Sequence, residues 1–138
     1  MVGQPNLVRR VDVETLLINA VAAWLPGQGW AAVAVADDLA PGDTSDAVGI
    51  YRTGGVMSSM TIDNPTITID TKAGTRTRSS SLINAVSAFL HGLPGYDLTP
   101  GIGVCTVAEF GGPALLPTID SPTRYTQTFT IELQTAVD

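Results

Sequence analysis

The chain is poor in the side chains that carry most catalytic and metal chemistry: one histidine, one cysteine and one lysine among 138 residues. Cys105 has no second thiol, so an internal disulfide is excluded. It lies mid-strand, with no histidine near it in sequence, and reads as a buried, inert thiol rather than a nucleophile. His91 falls in the last turn of an expected helix, where the dipole favours a cation; a surface role is expected there in preference to a general base. Charge is scarce as well. Asp, Glu, Lys and Arg make up 14% of the chain, against about 25% in an ordinary soluble domain. Thirteen acidic residues against seven basic ones give a net charge of -6. That balance disfavours a free nucleic-acid binder, whose affinity comes mainly from neutralised phosphates. Apolar runs are short: Glu14, Thr15 and Asn19 interrupt residues 13–25, so no membrane-spanning helix is expected. Met1-Val2-Gly3-Gln4-Pro5-Asn6 lacks the charged start and apolar core of a secretory signal, and none is expected.

Threonine is what the chain has in quantity. Seventeen are present, and a β-branched residue with a hydroxyl suits the wet face of a sheet. The length fits one domain over residues 1–138 that buries roughly two thirds of its unfolded surface. Asp12 is a good N-cap, and Val13, Leu16, Leu17, Ala20, Val21 and Trp24 recur at helical spacing until Pro26-Gly27, which predicts a helix over 12–25. Strands are expected at 28–36, 47–53 and 66–71, the last a clean alternation of Thr and Ile with Pro65 suiting its start. Residues 72–78 read as a loop, after which Ser79 to Ser81 cap a second helix with the stripe Leu82, Ile83, Val86, Phe89, Leu90 and Leu93. Two long strands, 102–110 and 123–135, close the chain across a Gly/Pro-rich connection. In the last strand Tyr125, Gln127, Phe129, Ile131 and Leu133 share one face. Thr126, Thr128, Thr130, Glu132 and Gln134 take the other.

The two helices echo one another. Leu17-Ile18-Asn19-Ala20-Val21-Ala22-Ala23-Trp24-Leu25-Pro26-Gly27 aligns with Leu82-Ile83-Asn84-Ala85-Val86-Ser87-Ala88-Phe89-Leu90-His91-Gly92 at an offset of about half the chain. The expected fold class is therefore α+β, with two helices packed on one face of a mostly antiparallel, mixed sheet, and the echo allows two αββ halves.

No enzymatic constellation emerges from the spacing of polar residues. Asp37, Asp38, Asp43 and Asp46 do not match a calcium loop and read as a solvated acidic segment. Gly101-Ile102-Gly103-Val104 lacks the third glycine and the following helix of a dinucleotide turn. Asn64-Pro65-Thr66 fails as a glycosylation acceptor because of the proline. No metal and no cofactor are expected. Two features stand out from monomeric folding: Lys72, Arg76 and Arg78 cluster in an otherwise acidic chain, and Asp120 and Arg124 flank the longest strand. Solvated charge is one account of both; pairing between subunits around a ring is the other.

Taken in order, an amphipathic helix, strands, a strand entering Lys72-Ala73-Gly74-Thr75-Arg76, a helix ending Phe89-Leu90-His91-Gly92-Leu93, and the close Asp120-Ser121-Pro122-Thr123-Arg124-Tyr125-Thr126-Gln127-Thr128-Phe129-Thr130-Ile131 resemble the tail terminator proteins of long-tailed bacteriophages, also called minor capsid or tail completion proteins. The likeness spans about residues 10–135. It implies a non-enzymatic subunit without cofactor that forms a hexameric ring at the head-proximal end of the tail tube, assembled in the host cytoplasm and retained in the virion. Its implied partners are copies of itself, the tail tube protein and the head-completion or connector protein, with DNA only passing through the lumen and no membrane. Lys72, Arg76, Arg78, Asp120 and Arg124 are the interface residues that the likeness and the charge pattern mark together. A Thr-faced sheet is expected to line the lumen. The alternatives are a head-tail connector component or, from another class, a small ligand-binding α+β domain with Glu109 or Asp97 in a pocket.

Overall fold

The computed structural model of the chain describes residues 11–39, 45–59, 61–119 and 122–135. Asp43 and Asp120 lie outside them. Helix α1 (Val13–Trp24) and helix α2 (Arg76–His91) cover one face of a seven-stranded sheet. The strands are β1 (Ala34–Ala36), β2 (Ala47–Met57), β3 (Ile62–Lys72), β4 (Asp97–Thr99), β5 (Ile102–Glu109), β6 (Ala114–Leu115) and β7 (Tyr125–Thr135). Their order is β1-β2-β3-β7-β5-β4, with β6 pairing the start of β7. β1 and β2 run parallel, and the other described pairs are antiparallel. This is the expected α+β class.

The order reads alike from both edges. Each half supplies a helix, then a short edge strand, a long strand and a central strand, and the halves meet along β3 and β7, where Ile67 faces Phe129 and Ile69 faces Gln127. The sequence echo acquires a physical expression here. Trp24 and Phe89, aligned in the echo, lie with ring centroids 4.9 Å apart, a contact worth roughly 0.5–1.5 kcal/mol beyond area burial.

Local chemistry explains most boundaries. The Asp12 carboxylate accepts from the Thr15 backbone N–H at 3.2 Å and its hydroxyl at 2.8 Å, fixing the start of α1. α2 begins at Arg76, three residues before the expected serine run. Thr75 is the cap, its hydroxyl accepting from the Arg78 N–H at 3.2 Å. Ser79 is buried inside the first turns, where its hydroxyl lies 3.1 Å from that of Thr71. Residues 28–36 were expected to be one strand, yet a 3₁₀ turn (Leu25–Gln28) and a bend consume most of it, leaving only β1. β2 runs on to Met57, past the expected 53, with a bulge between Arg52 and Gly54. β3 starts at Ile62, so Pro65 stands inside a central strand. The β3–β7 register skips from Asp63 to Thr66, and the proline's missing N–H falls in that gap. Opposite it Gly55 has φ +97°, and a Cβ there would lie 2.0 Å from the Asn64 carbonyl oxygen. Pro100-Gly101 forms the β4–β5 turn with Gly101 at φ +87°, so Gly101-Ile102-Gly103-Val104 is a hairpin corner running into a strand.

Leu17, Val21, Ile50, Ile67, Ile69, Leu82, Val86, Leu90, Phe129, Ile131 and Leu133 form one buried cluster between helices and sheet, each contributing about 1.5–3 kcal/mol by burial. At its margin Arg52 grips the buried Asp63 carboxylate through two hydrogen bonds of 2.9 and 3.0 Å. Glu14 of α1 accepts the Arg52 backbone N–H at 2.9 Å, tying the helix to the sheet edge. No helix among the described residues is long and apolar enough to cross a membrane.

Candidate functional site

The sheet face turned away from the helices carries Thr66 and Thr68 of β3 with Thr126, Thr128 and Thr130 of β7. Period-two alternation places them opposite the apolar face, and the register sets Thr66 beside Thr130 and Thr68 beside Thr128. The hydroxyls of Thr68 and Thr128 lie 3.2 Å apart. No helix covers this side, and Glu132 is the one ionisable side chain on the β7 stretch from 126 to 134. The result is a polar, weakly charged face on which Thr68 is buried and Thr66, Thr126, Thr128 and Thr130 are partly exposed.

Charge gathers at one end of that face. Tyr51 donates its phenolic hydrogen to the Asp70 Oδ2 atom at 3.1 Å, and Arg124 Nη2 donates to the same oxygen. Asp70 is 2% exposed and Arg124 half-buried. Burial, then the Asp70 charge and hydrogen bond, push the Tyr51 hydroxyl above its ordinary pKa. For Arg124 burial pulls the pKa down, but the Asp70 hydrogen bond and charge outweigh it and hold the guanidinium charged. Asp70 Oδ1 and Arg124 Nε are buried without a partner among the described residues.

The five residues marked from sequence fare differently. Lys72 is the last residue of β3 and is buried, one register step beyond the Thr71–Tyr125 pair and hence beside Arg124. Arg124 is turned onto Asp70 of the same chain. Arg78 is exposed, donates from Nε to both Asp46 carboxylate oxygens at 2.9 Å, and stacks 4.7 Å from the Trp30 ring centroid. The Asp46 hydrogen bond, followed by its charge, raises the Arg78 pKa. Arg76 is exposed in the first turn of α2 and has no ion pair among the described residues. Asp120 is outside the described residues. The structure thus brings Lys72 and Arg124 together, sets Arg76 and Arg78 on the neighbouring helix start, and gives Arg78 and Arg124 acidic partners within the chain. The partners Asp46 and Asp70 were not singled out for pairing. Asp70 had one local signal, a lone charge at a polar position of a Thr-Ile alternation.

A second polar group lies on the helix side. His91 Nε2 is 3.0 Å from Glu109 Oε1, which also accepts from Gln127 Nε2 at 3.0 Å, and the imidazole meets Phe129 edge-on at 5.7 Å. The His91 hydrogen bond is the main reason the Glu109 pKa sits below its usual value; desolvation opposes it and the Gln127 bond assists. His91, expected as a plain surface residue, is therefore engaged, through a contact spanning 18 residues that no local pattern announces. Both side chains are 43% exposed. No set of three or more His, Cys, Asp or Glu among the described residues is placed to hold a metal ion.

A cleft of about 610 Å³ lies where the C-terminal ends of α1 and α2 meet β4, lined by Trp24, Phe89, Leu93, Tyr96 and Leu98 with Asp97 as its charged side chain. Of the two carboxylates named for a ligand pocket, Asp97 lines this cleft and Glu109 does not. Neither a scan against protein-family models nor a search of curated proteins found a match for the chain.

Proposed function

We propose that the chain is a structural subunit of a phage-type tail, a tail terminator that closes into a ring on the end of the tail tube, stops its growth and presents a surface for head joining. The observation that supports this reading most directly is the threonine face across β3 and β7, which no helix covers and whose side chains are partly exposed except for the buried Thr68. An antiparallel sheet with one solvated face is common in monomers, but such faces usually carry abundant charge, and this one holds hydroxyls with few ions. A lumen that passes DNA needs wetting groups and no positive grip, and a subunit with net charge -6 supplies that. The two-layer α+β architecture is also what the family likeness implies. On this reading Arg76 and Arg78, at the exposed start of α2, face a neighbouring subunit. Arg124 braces the subunit's own sheet through Asp70.

The test is electron microscopy of the purified protein alone and mixed with tail tubes, together with tail lengths from particles lacking it. Six-fold rings on tube ends and overlong tubes in its absence are expected. A chain that stays monomeric with tubes present and leaves tube length unchanged refutes the proposal, and rings found only on head vertices assign it instead to the connector class. The ligand-binding reading is weaker: its cleft offers a single carboxylate, whereas small-molecule sites combine apolar walls with several convergent polar groups.

A further inference from the structure

Residues 110–119, Phe-Gly-Gly-Pro-Ala-Leu-Leu-Pro-Thr-Ile, contain no charge in a chain of net -6. The segment leaves β5, touches the sheet through the Phe110 N–H to Thr128 carbonyl bond of 2.9 Å, the two-residue β6 and the Leu116 N–H to Arg124 carbonyl bond of 2.7 Å, and holds large apolar side chains in solvent. Ile119 is fully exposed and Phe110 is 80% exposed. Isolated exposed apolar residues are ordinary, but three within ten residues, Leu116 included, on one uncharged arm are a concentration of exposed apolar side chains that a contact would cover. The same subunit also carries the complementary feature, the cleft walled by Trp24, Phe89, Leu93, Tyr96 and Leu98. Arm and cleft cannot satisfy each other within one copy. The cleft opens beside β4, near the start of β5, whereas Phe110, whose N–H bonds the Thr128 carbonyl, lies eight residues beyond Ile102, about 26 Å at 3.3 Å per residue.

We propose that the 110–119 arm of one copy seats in the cleft of the next, a head-to-tail contact that propagates around the ring. This inference rests on the ring reading above. A knob at one place and a hole at another generate a heterologous contact, which closes into a ring when the rotation between copies permits. Charge argues for the same occupant: two strongly acidic copies repel wherever their carboxylates meet, and the uncharged arm against a cleft with one carboxylate is where they approach at least electrostatic cost. The cleft's volume lies within the ~300–1,000 Å³ of sites that engulf a few large side chains or a small ligand.

The test uses two full-length variants, Ile119→Asp on the arm and Ala88→Glu on the exposed helix face lining the cleft, each checked for wild-type circular dichroism and melting. Native mass spectrometry and negative-stain microscopy, with and without tube ends, then read assembly. Each variant alone is expected to weaken ring formation about 30-fold or more, as loss of a central interface anchor does. An equimolar mixture is expected to give a heterodimer, since an intact arm from one variant meets an intact cleft from the other exactly once. If wild type forms rings and both variants do so equally well, this contact is overturned while the ring reading stands. Rings lost in both variants with no dimer in the mixture also overturn it, because the contact is then not arm to cleft. A small molecule that co-purifies with wild type and is lost in Ala88→Glu overturns it in favour of a ligand site. Absence of any wild-type ring on tubes refutes the underlying reading itself.

Discussion

Replacing Arg124 by alanine should destabilise the protein far more than loss of a surface charge. Asp70 is 2% exposed and keeps a single further hydrogen bond, from Tyr51, once the guanidinium is gone. Breaking a fully buried ion pair costs about 3–5 kcal/mol because a charge is stranded, whereas exposed pairs are worth about 0–1 kcal/mol. Arg124 is 28% exposed, so water reaches part of the vacated volume and the expected cost falls to about 2–3 kcal/mol. With an unfolding entropy near 2.1 cal/mol/K per residue and 138 residues, that corresponds to a melting temperature lower by about 7–10 °C. Urea titration followed by circular dichroism, with Asp70→Asn and the double variant completing the cycle, measures it. The double variant should be more stable than Arg124→Ala alone, since no carboxylate is then stranded. A change within about 0.5 kcal/mol for Arg124→Ala, or a double variant no better than the single, would refute the reasoning and return Arg124 to the list of residues free to contact a neighbour.

Gly55→Ala should cost at least about 2 kcal/mol, because φ is +97° and the new methyl would meet the Asn64 carbonyl; a denaturation midpoint unchanged from wild type would contradict this. Thr75→Ala should lose about 1 kcal/mol by uncapping α2, visible as faster amide exchange in residues 76–79 and absent if another group caps that end. Glu109 has a folded-state pKa below its unfolded value, so its contact with His91 adds stability above the unfolded value and that stability is lost as pH falls through the folded one. Wild type should therefore exceed Glu109→Gln in urea midpoint at pH 7, with the gap closing in acid; a gap that is the same at pH 7 and pH 3 would count against the pairing.

Periodicity and capping chemistry made much of the fold legible. Asp12, the Leu17 and Leu82 stripes and the Thr-Ile alternation of β3 are local signals, and each corresponds to the element it suggests. What failed locally failed for tertiary reasons. Residues 28–33 have strand-like composition but follow a Pro-Gly turn and find no partner strand, while Asn64-Pro65 resembles a strand break yet survives inside β3 because Gly55 and a gap in the β7 ladder accommodate the ring. The charge cluster was visible from composition. Its allocation was not, because Asp46 and Asp70 reach Arg78 and Arg124 across 32 and 54 residues. The pairing of His91 with Glu109 depends on how α2 and β5 are laid on the sheet.

The mirrored strand order has a consequence for the timing of synthesis. β2 and β3 are neighbours in sequence and can pair as soon as both have left the ribosome, but β3 finds its other partner only in β7, 54 residues further on at the nearest register pair, Thr71 with Tyr125. β5 also waits for β7 to reach the rest of the sheet. The two halves are therefore joined by the last strand to be made, and the long loop it closes is the slow, entropically demanding event of folding. A partly translated chain carries an unzipped centre, and the seven-stranded sheet becomes continuous only when β7 has gone in.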